Sequence, residues 1–524
     1  MFWVDSVIED FIKERKSAID TKESIIIRDE KTASGRIHVG AMRGVMLHGI
    51  LSRVLSEKGI QNTFLYEIND FDAFDTVPAY LDKEKYEKEL GKPLYALPAP
   101  EGEGNYAQYF GSEFMRVIEV SGFHPQFYYS SDEYKVGKYN DVIRTALKKA
   151  EVIRKIYKEV SGGEREEGWL PIMMICEGCG KIATTRATSF DGEEVTYVCD
   201  QEGSGASGCG FGGKNSPFDG NAKFLWKVDW AAKFKVFDVD IEGEGKDLAT
   251  KGGARDVADR ISKEVFEYEP PFDIPYEFLL IEGKKMSTSK GSGSSATEVV
   301  SMVPAKILQL ALLGKKIRRA VNFDPKGDTI PMLYDQYDTL AEKYTTGVED
   351  DDTRLFSLIH KEGEIKARFL PRFSQVVFLV QMPHMNVEEE VARMKEAPLT
   401  DEDTKELEER VMYAKQWIEK YAPERYVFEL QLDTVPERTK DFSDTQKTAL
   451  RRVLEEIKNM KELDGQELHT TLHNIRKEED IEPKEFFSAI YLAFLGKESG
   501  PKVGWFLSVL DRGFLENRLE QVSK

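Results

Sequence analysis

The chain has 524 residues and 59.8 kDa, of which 41% are hydrophobic and 32% charged; at roughly 100–200 residues per domain this predicts about three to four folded domains and excludes a disordered polymer. Its 93 acidic residues outnumber 73 basic ones, for a net charge of −20, so no global basic field holds nucleic acid and any RNA contact must come from local patches. Apolar runs fall short of the roughly 18 residues a membrane span needs, the N-terminus Met1-Phe2-Trp3-Val4-Asp5 lacks a secretory signal, and four cysteines are too few for a disulfide scaffold. Composition therefore predicts a soluble protein of the reducing cytoplasm, without membrane contact.

In chain order, Ser24-Ile25-Ile26-Ile27 reads as a short buried strand. A polar turn from Arg28 to Gly35 follows. Val39, Met42, Met46, Ile50 and Val54 then recur at helical spacing until Lys58-Gly59. Thr63–Ile68 is a second strand running out into Asn69-Asp70. Strand, turn, helix, strand is the opening of a doubly wound α/β fold, whose ligands sit at the carboxyl ends of the strands. Residues 79–167 read as mostly helical around a Pro/Gly-rich loop at 97–105. Residues 168–220 hold all four cysteines, many glycines and little helical periodicity, and residues 221–285 return to strands and helices, ending in a strand at Tyr276–Ile281. From about Thr339 to Lys524 helical periodicity dominates, predicting an all-α C-terminal domain.

Two segments carry chemistry. Thr32-Ala33-Ser34-Gly35-Arg36-Ile37-His38-Val39-Gly40 lies between the first strand and the first helix, where helix amides and glycines admit a polyphosphate. His38 can donate to phosphate oxygens as charge builds at phosphorus, and Gly40 leaves room for a flat adenine. Lys284-Lys285-Met286-Ser287-Thr288-Ser289-Lys290-Gly291 follows the strand at 276–281; its lysine and hydroxyls suit a clamp on a triphosphate. Either alone has a plain alternative, an ordinary histidine or a solvated linker. Their order, each after a strand and nearly half the chain apart, is far more specific.

These segments resemble the HIGH and KMSKS motifs of class I aminoacyl-tRNA synthetases, and the wider chain resembles the archaeal-type class I lysyl-tRNA synthetases. Supporting stretches are Leu90–Leu94, Trp226–Trp230, Gly245-Lys246-Asp247, Lys251-Gly252-Gly253, Tyr276-Glu277-Phe278, Phe323-Asp324-Pro325, Leu333–Asp338 and Gly500-Pro501-Lys502-Val503-Gly504. The resemblance implies a Rossmann-type (HUP-like) α/β catalytic domain with a Cys-rich zinc insertion, plus an all-α C-terminal domain. Residues 1–167 would be the first half of the catalytic domain with a helical insertion, 168–220 the zinc knuckle, and 221–285 the second half. Residues 286–338 would be the KMSKS loop and stem-contact region, and 339–524 the anticodon-binding domain. It further implies ATP with Mg²⁺, L-lysine and tRNA as partners, lysyl-adenylate as intermediate, and transfer to the terminal adenosine. His38, Lys285 and Ser287 would be catalytic. Gly35, Gly40, Gly245, Asp247, Gly252, Gly253, Met286 and Ser289 would meet ATP, and Asp29, Thr32, Trp230 and Tyr276 the amino acid. The domain count suggests a chain able to work as a monomer.

The chain departs from the family pattern at Ala41, Thr288, Leu248, Arg28 and Glu30. Arg28 stands seven residues before Gly35, a spacing that resembles the substrate arginine of glutamyl-tRNA synthetases. The same machine charging another amino acid is therefore one alternative, and a tRNA-binding paralog without charging activity another; His38 and Lys285-Met286-Ser287 argue against the second. A lysine ammonium leaving water needs a carboxylate, and Asp29, Asp70, Asp72 and Glu277 are the candidates.

Cys176-x-x-Cys179 with Cys199 and Cys209 downstream suits a closed structural zinc site replacing a sparse core; the alternatives are binding by Cys176 and Cys179 alone, or four plain thiols. Lys315-Lys316-x-Arg318-Arg319 suits phosphate contacts or a solvated helix end. Trp417, Tyr421, Arg425 and Tyr426 could stack on unpaired bases, but their spacing is better read as a helix core face.

Overall fold

Ile25 opens an eight-residue strand, Ile25–Thr32 (β1), that is longer than the isoleucine run because its polar carboxyl half stays in register with Asn62–Asn69 (β2) from Ile25↔Asn62 to Thr32↔Asn69. Gln126–Tyr129 (β3), Ile241–Glu242 (β4) and Phe272–Asp273 (β5) complete a five-stranded sheet in the order β5-β4-β1-β2-β3, every neighbouring pair parallel. The order reverses between β1 and β4, which makes the crevice beyond their carboxyl ends the ligand position of a doubly wound sheet. The computed structural model describes residues 1–283, 295–360, 365–382 and 385–524. These form two units, Met1–Phe323 with Thr346–Glu362, and Asp324–Thr345 with Gly363–Lys524.

The β1–β2 crossover is the helix Met42–Glu57 (α1), which buries Met42, Val45, Met46, Ile50, Leu51 and Val54. Gly49 is required by packing: a Cβ there would lie 2.3 Å from the Phe123 ring. The strand β3 departs from the helical reading of residues 79–167. Only four residues long, its aromatic run Phe127-Tyr128-Tyr129 becomes a strand by pairing with β2 from Leu65↔Gln126 to Ile68↔Tyr129.

After β3 the chain forms the helices Asn140–Lys148 and Ala150–Ser161, then the cysteine-bearing segment with the strands Ile172–Met174, Arg186–Phe190, Val195–Val198 and Gly212–Asn215. The sparse core expected there is not what the structure has. Ile172, Ile182, Val195 and Tyr197 join Ile143, Ile153 and Ile156 in one buried cluster, and each such side chain contributes about 1.5–3 kcal/mol of burial. The helices Trp226–Val236 (α2) and Ala254–Glu264 (α3) flank β4 in sequence. The strand expected at Tyr276–Ile281 shortens to Leu279–Ile281 and leaves the main sheet, pairing in parallel with Val321–Phe323.

In the second unit the described residues form helices and no strand. Asp401–Lys420 and Asp444–Asn459 start with capping boxes, Thr400 with Asp403 and Ser443 with Gln446. Trp417 is fully buried, its indole N–H donating to Pro325 O at 2.9 Å, so it belongs to the core. The helix Thr329–Thr345 runs across residues 338 and 339, where the stem-contact and anticodon-binding regions were divided. Among the described residues no helix is long and apolar enough to cross a membrane.

Candidate active site

The turn after β1 is built for close approach. A Cβ on Gly35 would lie 2.7 Å from Tyr80 Oη, the hydroxyl that accepts from Arg36 N at 2.6 Å, and Tyr106 Oη donates to Ser34 O at 2.9 Å. His38 is extended and caps a short 3₁₀ turn, Val39–Ala41, that carries Gly40 and leads into α1. Lys285, Met286, Ser287 and Ser289 lie outside the described residues. The residue at which the description resumes, Ser295, forms an antiparallel bridge with His38, and Ala296 N donates to Ile37 O at 2.9 Å. Ser295 and Ala296, which follow the lysine–serine motif in sequence, therefore pack directly on the histidine turn.

Across the crevice, Gly245 bridges Tyr276, and Lys246 N donates to Tyr276 O at 2.9 Å. Asp247 follows. Gly252 has φ +75°, the left-handed region that favours glycine, and its N–H donates to Asp256 Oδ2 at 2.7 Å. Gly253 is the N-cap of α3; a Cβ there would lie 2.5 Å from Thr250 O. The second glycine pair thus opens a helix in the segment that follows β4.

The strands β1, β2 and β4 and the helix α2 carry a buried charge network. Arg28, fully buried, spends all five N–H groups on the protein itself. Nη1 donates to both Glu242 oxygens at 3.0 and 2.8 Å, Nη2 to Glu67 Oε2 at 2.6 Å and to Glu30, and Nε to Tyr128 Oη at 2.9 Å. Lys233 lies 2.6 Å from Glu30 Oε2, 2.7 Å from Glu67 Oε1 and 3.1 Å from Asp229 Oδ2. Lys223 pairs with Asp72 and, at 3.3 Å, with Asp229. Burial works against the Lys233 ammonium, but Asp229, Glu30 and Glu67 outweigh it and hold its pKa well above the ordinary lysine value. Arg28 therefore has no donor left for a substrate carboxylate, which removes the physical basis for a glutamate-like site.

Of the four candidate carboxylates, three are engaged. Asp70 accepts from Ser130 Oγ at 3.0 Å and from Ser131 N and Oγ at 2.7 Å each. Asp72 takes Thr32 Oγ1 at 2.9 Å, Asn69 Nδ2 at 3.0 Å and Lys223. Glu277 pairs with Lys246 at 2.8 Å. Asp29 is different. Its Oδ1 accepts from Glu30 N at 2.8 Å, while Oδ2 is buried, accepts no hydrogen bond among the described residues, and lies 3.4 Å from His48 Nδ1. Gly243 N donates to His48 Nε2 at 2.8 Å, so the ring's proton sits on Nδ1, facing Gly44 O at 2.8 Å. Tyr276 Oη shares this corner: a Cβ on Gly44 would lie 2.7 Å from both it and Asp29 Oδ2. Burial and Asp29 raise the Tyr276 pKa well above the ordinary value, keeping a phenolic proton to donate. Trp230 is buried, donates to Glu242 Oε1 at 2.6 Å, and carries the half-exposed Trp226 stacked at 6.2 Å.

The four cysteines converge. Their sulfurs all lie within 4.8 Å of one another, Cys176–Cys209 at 3.6 Å and Cys179–Cys199 at 3.8 Å. A tetrahedron of thiolates about 2.3 Å from a zinc ion has edges of about 3.8 Å. The donor set therefore fits a tetrahedral metal.

Sequence reasoning missed Glu67, Lys223, Asp229, Lys233, Glu242 and Gly44. The signal was present: Glu67 interrupts the apolar strand Phe64–Ile68, and Asp229 and Lys233 sit four apart in the aromatic helix α2. Charge in a segment that must be buried announces a partner.

Residues 1–362 match the family model for class I tRNA synthetases (K), and residues 372–523 match an anticodon binding domain. A lysine--tRNA ligase from Methanosarcina barkeri is 33% identical over 545 residues, covering 99% of this chain and 97% of that protein. One from Archaeoglobus fulgidus is 33% identical over 525 residues, covering 99% of each. A solved glutamate tRNA ligase from Elizabethkingia meningosepticum aligns with a TM-score of 0.44 at 12% identity, over 96% of this chain and 99% of that one.

Proposed function

We propose a division of labour for a chain that belongs to the class I (K) tRNA synthetases, the family matched by residues 1–362, and that resembles lysine--tRNA ligases along its whole length. It charges tRNA with lysine. In the first step a lysine carboxylate oxygen attacks the α-phosphorus of MgATP, the bond to the β-phosphate oxygen breaks, and pyrophosphate leaves. In the second the 2′-hydroxyl of the terminal adenosine attacks the activated carbonyl, loses its proton, and AMP departs.

His38, Lys285 and Ser287 act on the phosphates, where positioning and positive charge lower the barrier. Gly35 and Gly40 let the nucleotide approach the first turn. Gly245, Asp247, Gly252 and Gly253 receive it from the segment after β4, with Met286 and Ser289 contributed by the lysine–serine motif. The pairing of Ser295 with His38 supports this.

The lysine side chain goes to the corner of Asp29 and Tyr276, with Thr32 and Trp230 as walls. The observation that carries this is the buried Asp29 Oδ2 without a hydrogen-bond donor, beside an Arg28 that is fully consumed. A buried carboxylate oxygen lacking a donor is costly and is satisfied by an arriving ammonium. Cys176, Cys179, Cys199 and Cys209 hold a structural zinc, which ties the two ends of their segment together. The second unit meets the tRNA anticodon, and the chain works as a monomer.

Pyrophosphate exchange into ATP, run with each amino acid in turn, tests the reading. Lysine-dependent exchange is expected; exchange with glutamate and none with lysine would overturn it.

A further inference from the structure

His48 lies one turn along α1 from Gly44 and is 1% exposed, so its ring nitrogens must find their partners inside the protein. Nε2 accepts from Gly243 N at 2.8 Å, which leaves the single proton of the neutral ring on Nδ1. That proton faces Gly44 O at 2.8 Å, while Asp29 Oδ2 stands further off at 3.4 Å. The neutral ring thus spends its donor on a carbonyl, and Asp29 Oδ2 accepts no hydrogen bond among the described residues.

The ring is held in this orientation. It stacks on Phe64 of β2, with centroids 6.2 Å apart and 25° between the planes. Gly243, which follows β4, packs so closely that a Cβ there would lie 2.4 Å from Ile274 O, which fixes where its N–H points. A second proton would change the corner twice. It would sit on Nε2, where Gly243 N already directs a donor, and it would place a full positive charge beside Asp29 Oδ2. The groups that act most strongly on the ring are Asp29 from β1, Glu242 from β4 and the Gly44 carbonyl of α1, with β2 presenting the uncharged Phe64 ring. Lys31 and Tyr276 bear on Asp29 in turn. Burial disfavours the second proton, but Asp29, Gly44 O and Glu242 outweigh it and hold the His48 pKa above the ordinary histidine value. The doubly protonated ring is therefore within reach near neutral pH.

We propose that His48 is a positioning residue for lysine recognition. Its neutral Nδ1–H form keeps Asp29 Oδ2 open for the substrate ammonium, whereas the doubly protonated ring takes that oxygen itself. A proton on His48 and the lysine side chain thus compete for one carboxylate. The proposal rests on the placement of the lysine side chain between Asp29 and Tyr276, and it names the residue that governs access to that place. Binding at acid pH is a balanced exchange: the ammonium arrives at Asp29 Oδ2, the Nε2 proton leaves to solvent, and Nε2 again accepts from Gly243 N. Lysine affinity therefore falls as acidity rises through the His48 pKa, by about tenfold for each further pH unit.

The test measures lysine-dependent pyrophosphate exchange by the full chain from about pH 5.5 to about pH 8, at saturating MgATP, with kcat and the KM for lysine separated at each pH. The wild-type lysine KM should be level at the alkaline end and rise by up to about tenfold per pH unit toward the acid end. His48→Asn keeps an amide donor near the position of Nδ1 and takes no proton in this range, so its lysine KM, whatever its level, should not vary with pH. Calorimetry of lysine binding to the wild type, in buffers of different ionisation enthalpy, should find up to about one proton released per lysine at the acid end and none at the alkaline end. This measurement decides the matter even if the variant does not fold. A wild-type lysine KM and proton release that ignore pH would overturn the proposal and leave the ligase reading standing. So would a folded His48→Asn protein that keeps the wild-type pH slope. Absence of lysine-dependent exchange at every pH would overturn the ligase reading, and the proposal with it.

Discussion

Gly44→Ala isolates the amino-acid corner better than substitution of the residues that form it. The added methyl would lie 2.7 Å from Asp29 Oδ2 and 2.7 Å from Tyr276 Oη, whereas carbon–oxygen contacts settle at about 3.3–3.6 Å. Both oxygens must retreat by about half an ångström or more, and overpacking of this kind costs about 1–3 kcal/mol. Gly44 lies within α1, where alanine is favoured over glycine by about 1 kcal/mol. The two effects nearly offset each other in folding but not at the corner, where the oxygens no longer hold their native positions. With each 1.4 kcal/mol worth tenfold, the KM for lysine in pyrophosphate exchange should rise roughly tenfold to a hundredfold. The KM for ATP should stay within about twofold, and the melting temperature within a few degrees. A folded Gly44→Ala protein with an unchanged lysine KM would refute the placement of the substrate side chain between Asp29 and Tyr276.

Arg28→Met should destabilise the catalytic unit by about 3–5 kcal/mol, the cost of leaving buried carboxylates without their cation, and should not create glutamate-dependent exchange; a variant as stable as the wild type in urea titration would count against the network. His38→Ala should lower lysine-dependent exchange by about a hundredfold or more and leave tRNA affinity within a few-fold, and comparable exchange rates would remove the histidine from the chemistry. Metal analysis should find about one zinc per chain, lost in Cys199→Ser together with several degrees of melting temperature; a metal-free wild type that melts at the same temperature as the variant would refute the site.

The parts of the fold written in local periodicity were readable from the sequence. The helix through Val39, Met42, Met46 and Ile50 appears as a 3₁₀ turn and α1, and the apolar runs at Ile25 and Phe64 became neighbouring strands. What was not readable depends on partners distant in sequence. β3 is only four residues long, too short for its aromatic run Phe127-Tyr128-Tyr129 to show a period, and is fixed by its register with β2. The strand expected at Tyr276 begins only at Leu279, because Val321–Phe323 supplies its partner there. At the candidate site, the place of His38 and Gly40 in a turn after a strand was legible, and the structure puts both between β1 and α1. The roles of Asp29, Asp70, Asp72 and Glu277 were not, because four acids of equal appearance differ only in which donors fold against them. Arg28 was misleading for the same reason: its spacing resembles a substrate arginine, yet Glu242 stands across the sheet, on β4, to absorb it.

The internal lysines of the network do not saturate its carboxylates; the balance favours a cationic substrate. Arg28, Lys31, Lys223 and Lys233 face Asp29, Glu30, Glu67, Asp72, Asp229 and Glu242, four cations against six carboxylates. Burial, opposed by Arg28, raises the Glu242 pKa, yet an excess of negative charge remains even if that one group takes a proton. At an effective dielectric constant near 20, one uncompensated charge about 7 Å away is worth roughly 2 kcal/mol, attractive for an ammonium and repulsive for a carboxylate. The difference between lysine and glutamate side chains is therefore about twice that for each excess charge. The buried network thus acts as a scaffold that ties β1, β2, β4 and α2 together and as a field that selects the sign of the substrate. A design that neutralised it completely would keep the scaffold and lose the selection.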